Sequence, residues 1–177
     1  MKHFFFFSIL LLSLSLSAQI NKGNWLVGGS ATFAYSESKP NDISDSRSFN
    51  INLSPRVGYF FWDRLAFGLR ANFTRSRTER ETNTNRFNRY FTAPFARYYI
   101  LESDKILNPF VESSYGFDAI NSDNSREFTL SGGLAVFVNK NISYEASLNY
   151  INTINPSNER NKGSQTVLLG IGIQIHL

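Results

Sequence analysis

The chain has 177 residues, with 18 Lys and Arg against 14 Asp and Glu, two His and no Cys. The missing cysteines exclude a disulfide framework and a thiolate metal site, and a net charge of +4 is too mild to point to nucleic acid. The composition is instead marked by its aromatics, 17 Phe and 8 Tyr, beside a hydrophobic fraction of 42%.

Residues 1–18 read MKHFFFFSILLLSLSLSA. A basic start at Lys2, an apolar stretch from Phe4 to Leu16 and small residues at Ser17-Ala18 predict a secretory signal peptide cleaved after Ala18. The apolar run is shorter than the roughly 20 residues that a spanning helix needs. Removing it takes Lys2 and His3, which leaves 17 basic against 14 acidic side chains, a charge near +3, and His176 as the one histidine. Residues 19–177 are then expected to form one exported domain.

That domain alternates with a period of two again and again, which is the signature of strands with one apolar face. The first predicted strand, about Asn24–Ser36, sets Trp25, Val27, Phe33 and Tyr35 against Leu26, Gly28, Ser30 and Thr32. A polar loop over 37–46 leads to the second, about Arg47–Phe60, with Leu53 and Val57 outward and Asn52, Ser54 and Arg56 inward. After a tight connection at Phe61-Trp62-Asp63, the third puts Leu65, Phe67, Leu69 and Phe73 out and Arg70, Asn72 and Thr74 in. Residues 77–86, charged and without period, are expected to be a long loop.

The fourth strand, about Phe87–Leu101, is apolar on both faces; placing Arg97 inward sends Thr92, Pro94, Ala96 and Tyr98 outward, with Pro94 weakening the ladder or forcing a bulge. The fifth carries Asn108, Glu112, Ser114 and Asp118 inward, and the sixth Glu127, Thr129 and Ser131. The seventh carries Ser143, Glu145 and Asn149. Loops are expected at 121–125 and 155–162, and short turns at Ser103-Asp104-Lys105 and Asn139-Lys140-Asn141. The last strand, Gly163–Leu177, alternates Val167, Leu169, Ile171, Ile173 and Ile175 with Thr166, Leu168, Gly170, Gly172, Gln174 and His176. It is long enough to cross a bilayer, which takes about 9–11 tilted residues.

A final strand with Gly170, Gly172, Ile175 and Leu177 in this order resembles the closing strand of outer-membrane β-barrels, with Leu177 where an aromatic is usual. Eight strands joined alternately by long loops and short turns are similar to the small barrels of the OmpA transmembrane-domain and OmpX type, over the whole of residues 19–177. The expected fold is all-β, an eight-stranded antiparallel up-and-down transmembrane β-barrel. A soluble lipocalin or sandwich would alternate too. The polar faces here are crowded with Gly, Ala, Ser, Thr and Asn and carry recurring charges, which suits a narrow filled lumen. The resemblance implies an outer-membrane location with both termini periplasmic, contact with membrane lipid and lipopolysaccharide, barrel-assembly machinery acting on the C-terminal strand, and a monomer.

Two groups of residues stand out for function. Arg56, Arg70 and Arg97 face inward at one expected level with Glu112 and Glu145, a lumen ion-pair cluster that would plug an eight-stranded barrel. Arg75, Arg77, Arg80, Arg86 and Arg89 crowd the second loop and its flanks, a candidate contact for anionic surface glycans. No cofactor is expected. A small-solute pore is the alternative, and a lipid A-modifying enzyme a weaker one. His176 has no serine in a recognisable motif to serve as nucleophile, so no catalytic residue is assigned and the chain is expected not to be an enzyme.

Overall fold

The computed structural model describes residues 20–38, 46–80, 83–118, 125–154 and 163–177. The expected signal peptide, Gln19, residues 39–45, 121–124 and 155–162 of three expected loops, residues 81–82 of the second expected loop, and residues 119–120 lie outside them.

Eight strands run in chain order: β1 Trp25–Ser38, β2 Ser46–Trp62, β3 Leu65–Arg80, β4 Asn83–Tyr99, β5 Leu107–Asp118, β6 Arg126–Phe137, β7 Ile142–Ile154 and β8 Gly163–His176. Each pairs antiparallel with its sequence neighbours, and β8 returns to β1, so the sheet closes into an up-and-down barrel. Over the height of the β1–β8 pairs, Leu26↔His176 to Thr32↔Gly170, closure leaves no open edge, the condition for a sheet to sit in lipid. Residues 20–24 and Leu177 lie at one end, called proximal below; the opposite end is distal.

The alternation holds along every wall. Trp25, Phe61, Trp62, Phe67, Tyr98 and Tyr144 stand exposed on the outer face near the proximal end. Phe33, Phe73, Tyr115, Phe117 and Phe128 do so nearer the distal end, and Leu53, Leu69, Leu134, Leu148 and Ile171 lie between. Trp25 and Phe33 are eight residues apart on β1, about 26 Å along the strand, or about 20 Å upright at a tilt near 40°. Two aromatic belts so spaced frame the apolar band of a membrane barrel, which is roughly 25 Å tall.

Prolines mark the weak points of the ladder. Between β2 and β3 the pairing skips from Leu53↔Phe73 to Arg56↔Arg70, and between β4 and β5 from Thr92↔Phe117 to Phe95↔Ser114. Pro55 and Pro94 lie in these gaps because neither has an N–H to donate. The register is unchanged across both, so Pro94 interrupts the ladder without a bulge, and Arg97 faces inward.

The second expected loop is not one. β3 continues to Arg80 and β4 starts at Asn83, with pairs from Arg75↔Asn88 to Arg80↔Asn83. Residues 77–80 and 83–86 thus extend β3 and β4 beyond the distal aromatic belt. Outside lipid both faces of a strand can be polar, so no hydrophobic alternation survives to announce it.

Candidate functional site

The interior of the barrel is layered, and each layer follows from what the strands point inward at that height. At the proximal end the inward residues are apolar: Leu26, Phe60, Ala66, Tyr99, Phe110 and Ala135 form one buried cluster, with Phe137 against it. Glycine makes the room. A Cβ on Gly133 would meet the Phe110 ring at 2.5 Å, and one on Gly58 would meet the Phe95 ring at 2.9 Å. Ile20, fully buried, closes this floor from beneath the strands; its carbonyl accepts from Arg64 N–H at 2.7 Å, and Gly23 N–H donates to the Phe60 carbonyl at 2.9 Å.

Ser143 Oγ and His176 Nε2 lie 3.4 Å apart at this level, both fully buried. The imidazole sits among Phe137, Tyr99 and Phe60, with ring centroids 5.1, 5.9 and 6.1 Å away. Its Nδ1, the atom that a catalytic triad anchors to a carboxylate, makes no hydrogen bond.

Above the floor lies the charged layer. Glu112 Oε2 accepts from Arg56 Nη1 at 2.6 Å and from Arg97 Nε at 2.7 Å, while its Oε1 accepts from Arg70 Nη1 at 3.1 Å. Arg97 Nη1 also donates to Glu145 Oε1 at 2.5 Å, and its guanidinium lies 4.2 Å from the centroid of Phe110, a cation–π contact with the floor. The five residues come from β2, β3, β4, β5 and β7, and all are at least 93% buried. Burying charges is tolerable only when each is paired and its remaining donors are met. Ser30 Oγ takes Arg56 Nη2 at 2.8 Å, Gln174 Nε2 donates to Glu145 Oε2 at 3.2 Å, and Tyr99 Oη takes Arg97 Nη1 at 3.1 Å, whereas Arg56 Nε has no partner among the described residues.

Three guanidiniums against two carboxylates leave one charge over, and the balance is one storey higher. Arg70 Nε donates to Asn72 Oδ1 at 3.0 Å, and Asn72 Nδ2 donates to Glu127 Oε1 at 2.6 Å. With Glu127 the layer holds three cations and three anions. Asn72, Gln174 and Ser30 were not singled out in the sequence, though their inward parity beside charged residues was available as a signal. The aromatic floor was also missed, because inward Phe and Tyr look like a failure of alternation.

Distal to Glu127 the lumen opens into a cavity of about 270 Å³, lined among others by Thr32, Asn52, Thr74, Arg89 and Glu127. The five arginines expected at the second loop divide here. Arg75 and Arg77 are exposed on the outer face of β3 above Phe73, and Arg77 Nη2 is 2.6 Å from Glu79 Oε1. Arg89 lines the cavity and faces inward, its guanidinium over the Phe91 ring at 5.7 Å. It is therefore not part of an outer rim: on β4, the parity that turns Arg97 inward turns Arg89 inward too. The side chains of Arg80 and Arg86 lie outside the described residues, although Arg86 is in register with Arg77.

A family model described as outer membrane protein beta-barrel domain matches residues 4–174. Among solved structures, the N-terminal beta-barrel domain of Pseudomonas aeruginosa OprF superposes with a TM-score of 0.53 at 17% identity, covering 88% of this chain and 98% of that one. The outer membrane protein OprG of Pseudomonas aeruginosa superposes with a TM-score of 0.51 at 13% identity, covering 92% and 99%. A comparison with curated protein sequences returns no match.

Proposed function

The chain belongs to the outer membrane protein beta-barrel domain family, and from that premise we propose that it is a sealed, non-enzymatic barrel whose distal surface meets anionic glycans of the cell envelope. The observation that carries the reading is the charged layer, in which Glu112 alone receives three arginines. Eight strands enclose a lumen that side chains can fill. Here they fill it twice, with an aromatic floor and an ion-pair layer. A solute crossing the barrel would have to break both, which argues against a standing pore.

In this reading residues 1–18 are removed on export, and the proximal end, with its short turns, faces the periplasm. The C-terminal strand Gly163–Leu177 engages the assembly machinery, and the barrel works as a monomer. The distal hairpin of β3 and β4 then stands above the outer leaflet. Arg75 and Arg77 project from it just beyond the aromatic belt, at the height of lipopolysaccharide phosphates, which guanidinium groups bind in bidentate fashion. Ser143 and His176, sealed in the floor with no carboxylate on Nδ1, offer no nucleophile and base to a substrate.

The test uses the purified barrel in nanodiscs with and without lipopolysaccharide. Exchanging Arg75 and Arg77 for Gln should weaken lipopolysaccharide binding, and the difference should shrink as salt rises, with heat-modifiable gel mobility unchanged. Equal binding by wild type and variant would remove the rim from the account. Acyl transfer or deacylation by the wild-type protein would replace it with an enzyme.

A further inference from the structure

We propose that the distal half of the lumen is a binding cup for one saccharide unit, separate from the outward Arg75 and Arg77. The cavity there has a volume of about 270 Å³, just below the roughly 300–1,000 Å³ of sites for drug-sized ligands and suited to a single sugar ring. The charged layer beneath it forms a solid bottom.

The two walls of the cup differ in chemistry. On one side β2 and β3 present Asn50, Asn52, Thr74 and Ser76; across the barrel β7 and β8 present Ile151 and Leu168. Both apolar side chains face inward and remain partly exposed. A lumen that only needed filling and wetting would carry polar or small residues there, as it does at the neighbouring inward positions Asn149, Thr153 and Thr166. A pyranose ring has the same division, with a C–H face that packs on apolar side chains and an edge of hydroxyls that need donors and acceptors. Apolar lining with a few placed polar groups is the usual make-up of a small-molecule site.

Thr32 gives a second, independent sign. It is 9% exposed, lines the cup, and its hydroxyl has no hydrogen-bond partner among the described residues, whereas buried hydroxyls are ordinarily satisfied. Its register partner Gly170 leaves no room for a side chain: a Cβ there would stand 2.9 Å from Asn149 Nδ2, 3.0 Å from Ser147 Oγ and 3.1 Å from Thr32 Cγ2. Arg89 and Glu127 also line the cup, with Glu127 tied through Asn72 to the charged layer below.

Among the described residues the cup is open in two directions. The β1–β8 ladder runs for seven residue pairs, from Leu26↔His176 to Thr32↔Gly170. Distal to that, β1 stays paired with β2 and β8 with β7, but not with each other. A saccharide can therefore enter free from the distal end or, carried on a lipid, from the side.

The experiment is methyl NMR of the full barrel in nanodiscs, observing Thr32, Ile151, Thr166 and Leu168 during titration with N-acetylglucosamine. A parallel arm places the same sugars on lipopolysaccharide in the disc. Saturable shifts of these methyls in either arm are expected, the arm identifying the source. They should be lost in Ile151→Trp, which fills the cup, or in Leu168→Trp if the first variant does not fold. In Thr32→Val binding should weaken about fivefold, the value of one hydrogen bond, with no loss of stability. Arg75→Gln with Arg77→Gln should leave the titration unchanged, so the cup and the rim stand or fall separately. Absence of a saturable shift in both arms, or shifts that persist with the cup filled, would overturn the proposal.

Discussion

Arg97 and Glu145 are 48 residues apart in the chain and 2.5 Å apart in the lumen. The contact joins β4 to β7, strands that share no ladder, so it braces the barrel across its width. Glu112 ties Arg97 to its own neighbour strand, and through Arg56 and Arg70 to two more.

Neutralising the hub should therefore cost more than neutralising its outlying member. In Glu112→Gln three buried arginines lose their shared counter-charge, and a buried pair broken on one side costs about 3–5 kcal/mol. Glu145→Gln removes one pair and should destabilise less. Urea unfolding in lipid vesicles, followed by tryptophan fluorescence, orders the two; the reverse order would mean that Glu112 is not the hub.

The floor depends on steric fit. Gly133→Val should prevent folding or destabilise by about 1–3 kcal/mol, the range for overpacking, because its Cβ would stand 2.5 Å from the Phe110 ring and 2.6 Å from the Ala146 carbonyl oxygen. Adding Phe110→Ala should restore part of the loss. If the double variant is no better than the single, the clash lies elsewhere.

Ile20 closes the floor from the proximal side, fully buried and held by its carbonyl to Arg64. Ile20→Ala should cost about 2–5 kcal/mol, the usual range for truncating a buried Ile. It should leave the barrel non-conducting, since the charged layer lies above. Currents from this variant alone would show that the floor, and not the ion pairs, closes the lumen.

Ser143→Ala tests the remaining polar pair. A hydroxyl 3.4 Å from an imidazole contributes little, and the change should stay within about 0.5 kcal/mol. A large loss would reveal a hydrogen-bond network through His176 that the rings alone do not explain.

How far the sequence could be read follows from where water meets lipid. Within the membrane, Leu53, Val57 and Leu69 alternate with Asn52, Arg56 and Arg70, and the contrast fixes both strand and face. On β4 the contrast fades, yet Arg97 still set the phase, because a guanidinium can face only the lumen. Beyond the bilayer the contrast disappears, so the strand segments carrying Arg77 and Arg86 resembled a loop and Arg89 was grouped with that loop, although its parity on β4 turns it inward. At the proximal end the lumen itself is apolar, and Phe60, Tyr99 and Phe110 matched neither side of a polar-in, apolar-out scheme. The short β1–β8 ladder has no sequence signal, since it depends on how two strands distant in the chain diverge.

The central claim is that the charged layer and the aromatic floor together seal the barrel, and single-channel recording in planar bilayers tests it most directly. Wild-type protein should give no steady conductance at any holding voltage that the bilayer withstands, while Glu112→Gln combined with Ile20→Ala, where it still inserts, should give small, flickering currents because the charged layer and the floor beneath it are both loosened. Large, stable channels from the wild type would contradict the account.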